Sequence, residues 1–164
     1  MLFSLCSCFF LSYPKIKKAE FPFKLVYEKD GEEITVEDTL ICEFDGFGAD
    51  EGQGIYRKWK SHYASGNEKI LFHYAENTES VGHFRESALT QEIYYTPGSP
   101  DYYMGDYKYY VTFDHNIPEA SFSETYEDGA SSDGGLVEAD LLLERFNIKL
   151  ISWEIAPPIE NSFR

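Results

Sequence analysis

The amino-acid sequence predicts a mainly β protein: an antiparallel β-sandwich with one short C-terminal helix over about residues 136–146. Three observations carry that expectation. Residues 21–45 read as a hairpin closed on Asp30-Gly31. Aromatic residues make up 17% of the chain, with thirteen Tyr and thirteen Phe against two Met, a composition that suits pleated, half-buried strands. Only one stretch, 136–146, repeats its apolar residues convincingly at helical spacing.

The hairpin sets the register. Asp and Gly both tolerate positive φ, so a two-residue loop closes on them and pairs Tyr27 with Ile34 and Leu25 with Val36. Lys24 then faces Glu37 on the other side. The same parity continues through Leu40, Cys42 and Phe44. These seven apolar residues are expected to face the core together, since a one-residue slip would expose all of them.

A chain of 164 residues is long enough to bury a core without staples. It divides into an apolar leader or truncated anchor over 1–19, a single β-rich domain over 20–156 and a C-terminal tail over 157–164. The formal net charge is −15, and every acidic residue lies between Glu20 and Glu160. From residue 20 onward there are eleven basic against 29 acidic residues, a net of −18. Such a body repels nucleic acid, which is excluded as a partner, and anionic headgroups as well.

Residues 1–13 are apolar and run into Pro14-Lys15-Ile16-Lys17-Lys18. They are too few to span a bilayer, which takes about 20 residues. Leu5-Cys6-Ser7-Cys8 looks like the lipobox of bacterial lipoproteins, with Cys8 as the lipidated residue. Membrane association through the leader is therefore expected, at the extracytoplasmic face of a bacterial cell membrane. The three lysines favour the cytoplasmic side under the positive-inside rule, so a cytoplasmic location is the runner-up. Cys6 and Cys8 are too close for a zinc half-site, and Cys42 has the parity of a buried hydrophobe.

Further along, 45–54 reads as a Gly- and acid-rich loop. Counted from Asp45, an EF-hand would need acids where Phe47 and Tyr56 stand, leaving Asp45, Asp50 and Glu51 as the calcium candidates; no metal is expected. Residues 55–63 and 69–74 read as strands, with Arg57, Lys58 and Lys60 as partners for local carboxylates. Residues 75–87 read as a loop with a short element, and 117–133 as a connecting loop. Thr96-Pro97-Gly98-Ser99 has type II turn chemistry and is flanked by tyrosines. The doublets Tyr94-Tyr95 and Tyr109-Tyr110 put one ring on each face of a strand. Tyr94, Tyr95, Tyr102 and Tyr103 are therefore the candidate ligand-binding residues, the competing reading being that these rings close the core. The helix over 136–146 is expected to be capped by Asp133 or Ser132, with Asn147 in the left-handed conformation just past it. A last strand follows over 148–155, stopped by Pro157-Pro158.

The strings Glu20-Phe21-Pro22-Phe23, Glu37-Asp38-Thr39-Leu40-Ile41-Cys42-Glu43, Gly66-Asn67-Glu68 and Ile148-Lys149-Leu150-Ile151-Ser152-Trp153-Glu154, with the Pro157-Pro158 tail, are similar to small membrane-anchored or lipoprotein-like proteins of Gram-positive bacteria. The resemblance implies extracytoplasmic anchoring and carries no activity or site residue.

Phosphate-cradling Gly loops, Gly-x-Ser-x-Gly elbows, His-Glu-x-x-His and paired Cys-x-x-Cys motifs are absent from the sequence. His62, His73, His83 and His115 are dispersed. No catalytic residue and no cofactor is assigned. The expected function is a non-catalytic, envelope-associated β-sandwich that binds a protein, peptide or glycan. An extracytoplasmic hydrolase with an unlocated carboxylate site and a cytosolic interaction module are the alternatives.

Overall fold

The computed structural model describes residues 12–52, 54–82, 85–106 and 119–163. The elements run β1 (Lys18–Lys29), β2 (Glu32–Asp50), β3 (Gly54–Tyr63), β4 (Leu71–Glu79), β5 (Ser87–Thr96), α1 (Pro100–Tyr103), β6 (Glu119–Thr125), β7 (Ser131–Val137), α2 (Ala139–Phe146) and β8 (Ile148–Ile155). They form two antiparallel four-stranded sheets, ordered β3-β2-β1-β8 and β4-β5-β6-β7. The sheets pack face to face as a sandwich. Rings from opposite sheets meet directly, Tyr27 on Phe72 at 4.7 Å and Phe23 on Tyr95 at 5.4 Å.

The Asp30-Gly31 hairpin forms with both residues at positive φ, 53° and 83°. Leu25 pairs with Val36, Tyr27 with Ile34 and Lys24 with Glu37, as the parity requires. Leu25, Tyr27, Leu40 and Cys42 are buried, and Ile34, Val36 and Phe44 pack half-buried against them. The outward face is laced with cross-strand charge, including Lys18–Glu43 at 2.9 Å and Lys24–Glu37 at 3.7 Å. The sandwich therefore keeps alternate residues dry while the others remain in water.

Two segments expected as loops, 45–54 and the described part of 117–133, are largely strand, and the short element expected in 75–87 is the end of β4. Residues 45–50 continue β2, because Asp45 and Gly46 bulge together opposite Lys58, with Gly46 at φ 88°, and pairing to β3 then resumes at Phe47. The glycines thus build a bulge rather than end a strand. In 75–87, β4 runs on to Glu79, absorbing Asn77 at φ 51°. Within the described part of 117–133, β6 and the start of β7 form a hairpin turned near Gly129. The helix is shorter than expected. Leu136 belongs to β7, where it pairs with Ser121 and lies 54% exposed, so α2 starts at Ala139. Its N-cap is Glu138 without a side-chain cap bond, because Ser132 and Asp133 are held in β7. At the other end Asn147 sits at φ 52°, ψ 40°, the left-handed cap.

Gly135 is required by space. A Cβ there would come within 2.1 Å of the Phe122 ring, which lies across from it in the β6–β7 ladder. Gly135→Ala is expected to destabilise the protein by about 1–3 kcal/mol, the usual cost of overpacking. A urea titration with an unchanged midpoint would disprove this.

Both ends of the described chain fold back together. Residues 12–17 and 157–163 are joined by Lys15 N–H to Ser162 O, by Asn161 bonding both backbone groups of Ile16, and by a bridge between Pro14 and Phe163. Past Lys18, where β1 pairs with Glu43, β2 and β3 continue alone as a two-stranded arm. Three edge strands are bulged: β4 by Phe72, β7 by Gly134 and β8 by Ile151, each the residue without a ladder partner. The fourth edge, β3, carries Arg57, Lys58 and Lys60. Bulges and charges of this kind discourage strand addition. Among the described residues no helix is long and apolar enough to cross a membrane.

Candidate functional site

Where the end of β3 faces the end of β5, the two sheets leave a cleft of about 240 Å³. Leu40, Tyr63 and Tyr95 make its floor, Ser61 and His62 one wall, and Glu68, Lys69, Tyr94, Thr96, Pro97 and Gly98 the other. Local chemistry shapes both walls. Gly66 at φ 81° turns the chain out of β3, and the crossover through 67–70 then carries Glu68 and Lys69 to the second sheet. Gly98 at φ 93°, after Pro97, makes the sharp turn out of β5.

The four candidate tyrosines separate by strand parity and by α1. Tyr94 points to the outer face, half-buried, with the Lys69 ammonium 4.4 Å from its ring centroid and Lys69 itself bound to Glu92 at 2.8 Å. Tyr95 points inward and is 1% exposed; its hydroxyl accepts the Trp153 indole N–H. Tyr103 is fully buried against Phe21 and donates its hydroxyl to the carbonyl of Pro97. Burial pushes both phenols above their ordinary range. Both rings are core: Tyr103 does not line the cleft, and Tyr95 meets it only as part of its floor, so neither is the exposed contact ring expected. Tyr102 is half-buried, packed edge-on to Tyr103 at 5.2 Å, and does not line the cleft. Tyr94 remains. Tyr109 and Tyr110 lie outside the described residues, as do Cys8, His83 and His115.

The sequence does not single out Ser61, His62, Glu68 and Lys69 as site residues. Nothing local marks them, since the crossover between sheets brings them to Tyr94. The floor is chemically quiet: burial raises the Tyr63 phenol, with Asp38 adding to the shift. Cys42, in the core, has its thiol pushed up to about 12 by burial, so it is no nucleophile at neutral pH.

The larger hollow, about 650 Å³, is a shallow trough over β1, β2 and the end of β8. Of its polar groups, Lys24 is paired with Glu37, and Asp38 accepts from the hydroxyl and N–H of Ser65. The basic cluster is engaged too, Lys58 with Asp45 at 3.6 Å and Lys60 with Asp45 and Glu43. Asp50 accepts the Gly52 N–H. Among the described residues no three His, Cys, Asp or Glu side chains are grouped to hold a metal ion. His73 packs on Phe146 at 4.9 Å, and burial lowers its pKa.

Two buried polar centres lie elsewhere. Asp106 receives Arg57 through Nε and Nη2 at 2.6 and 2.7 Å and the Trp59 indole at 2.9 Å. Glu124, wholly buried in β6, accepts from Ser80 Oγ, from the Val81 and Gly82 amides, from Gln91 Nε2 and from the Tyr126 hydroxyl. Burial alone would raise its pKa, but these donors outweigh it and hold the carboxyl below its ordinary value. The carboxylate clamps the turn after β4, with Arg145 of α2 gripping the Glu79 and Ser80 carbonyls from the other side. Comparison with protein-family models, curated proteins and solved structures finds no match to this chain.

Proposed function

We propose that this protein is a non-catalytic binding module, held at the extracytoplasmic face of a bacterial membrane by its leader, that takes a protein, peptide or glycan segment in the Tyr94 cleft. The carrying observation is the cleft itself. It joins an aromatic ring, a stiff Pro97-Gly98 rim and polar groups of both signs in one concavity, which is how small sites gain contact area at low entropic cost. The bulged sheet edges favour the same reading, because they argue against capture by strand addition. Anchoring rests on the apolar residues 1–13 and on Cys8 in its lipobox-like context.

Screening the full chain against peptide and glycan arrays, then repeating the best binder with Tyr94→Ser and with Lys69→Ala, tests the proposal. Tyr94→Ser is expected to weaken binding about tenfold or more while the melting temperature moves by only a few degrees, since the ring is half-buried on an outer face. Undiminished binding by both variants would remove the cleft from consideration.

A further inference from the structure

We propose that the end of the sandwich where residue 12 joins the fold is itself a bilayer-docking surface, built from the β2–β3 arm and Tyr13, and that it holds the Tyr94 cleft away from the membrane. The proposal rests on the anchoring reading above and goes beyond it by assigning a membrane contact to the folded body.

Three observations point to this end. The first is exposed apolar surface. Ile55 and Tyr13 are 58% and 57% exposed, and Tyr56 and Ile16 are 36% and 40% exposed. Ile55 shares a strand face with Arg57, whose ladder partner Phe47 carries the Tyr13 ring at 4.9 Å. Tyr56 takes the opposite face, its ring over Gly48, where a Cβ would come within 2.5 Å. The arm therefore presents apolar groups on both sides, with tyrosines of the kind that settle at a membrane–water interface.

The second is where the chain goes. The apolar run of residues 1–11 enters at Ser12, whose carbonyl accepts Arg57 Nη1 at 3.0 Å. Arg57 also stacks on Phe163 at 3.9 Å, so the entry point is tied to the root of the arm. Whatever holds the leader at a bilayer brings this end to it.

The third is charge. In a body of net −18, exposed Lys15 and Lys17 stand beside the entry point, Lys17 over the Tyr13 ring at 5.2 Å. Asp50 and Glu51 at the apex oppose them. Docking is therefore driven by apolar burial rather than by attraction to anionic lipid, and should depend only weakly on salt.

The cleft lies at the far end of the same strand. From Tyr63 to Gly54, β3 covers roughly 30 Å at about 3.3 Å per residue. A molecule seated on its arm would present Tyr94 to the space beyond the headgroups.

Hydrogen exchange of the full chain, with and without phosphatidylcholine vesicles and vesicles containing phosphatidylglycerol, tests this directly. Phosphatidylcholine vesicles are expected to slow exchange across 46–57 about fivefold or more, vesicles containing phosphatidylglycerol no more strongly, since the acidic body is repelled by anionic headgroups, and both to leave 92–98 unchanged. The Ile55→Ser, Tyr56→Ser double variant, altering exposed positions, should lose that slowing without a change in melting temperature. If the chain sediments with vesicles while 46–57 exchanges as before, the docking surface is overturned and the leader reading stands. If the chain does not associate with vesicles at all, both fall. Slowing that instead follows protein concentration without lipid, with a doubled mass, would give the arm to a second copy of the chain and overturn the proposal.

Discussion

Replacing Glu124 by Leu is expected to cost about 3–5 kcal/mol of stability, the range for removing one side of a buried, hydrogen-bonded charge. Glu124 is wholly buried, and its loss strands the Val81 and Gly82 amides, the Ser80 and Tyr126 hydroxyls and the Gln91 amide in a dry place. Each stranded donor carries a desolvation cost that no rearranged apolar group returns. Glu124→Gln keeps the shape but turns an acceptor into a donor, pointed at groups that already donate, and should cost about 1–3 kcal/mol. The carboxylate also makes stability depend on pH. Its folded pKa lies below the ordinary 4.5, so its contribution is fully present above that value and is lost as pH falls through the folded value. Urea midpoints of wild type and Glu124→Gln should therefore differ at pH 7 and converge on strong acidification. A gap that stays constant with pH would show that the network does not depend on the charge.

Breaking the Arg57–Asp106 pair should be comparably severe. Both side chains are nearly inaccessible, 6% and 9% exposed, and the pairing is bidentate. Asp106→Ala leaves a buried guanidinium with the Ser12 carbonyl and the Phe163 ring alone among its described partners, and about 3–5 kcal/mol should be lost. Arg57→Ala leaves the carboxylate with the Trp59 indole alone among its described partners, and should cost about as much. The pair Arg57→Met with Asp106→Leu removes both charges and should recover most of the loss, because apolar replacements of similar size avoid the desolvation cost. Chemical denaturation of the singles and the double, read as a cycle, checks this. A double variant as unstable as the sum of the singles would mean that no coupled pair is present.

Much of the fold is legible where the determinants are neighbours in the chain. Asp30-Gly31 closes its hairpin because two adjacent residues accept positive φ, and the parity of Leu25, Tyr27, Leu40 and Cys42 follows from the two-residue period of a strand. Asn147 and the strand Ile148–Ile155 are legible for the same reason. Leu136 shows the limit. Its helical spacing is real, but pairing with Ser121 gives its backbone a partner that a lone helical turn cannot match.

The site is less legible, because composition cannot separate a ring that faces the core from one that faces water. Tyr94 and Tyr95 alternate as the doublet requires, yet which of them points inward depends on the second sheet, and Tyr103 is buried because α1 folds it beneath Pro97. Among 29 acidic residues nothing marks Glu124 as buried or Asp106 as the partner of Arg57, 49 positions away. The sequence by itself determined the Asp30-Gly31 hairpin with its inward face, the last strand, the turn chemistry and the acidic balance, since these depend on short-range sterics, alternation and composition. Only the tertiary structure decided which strands adjoin, which polar groups are dry and where a cleft opens, because these depend on contacts between residues tens of positions apart, whose free energy appears only once the two sheets have met.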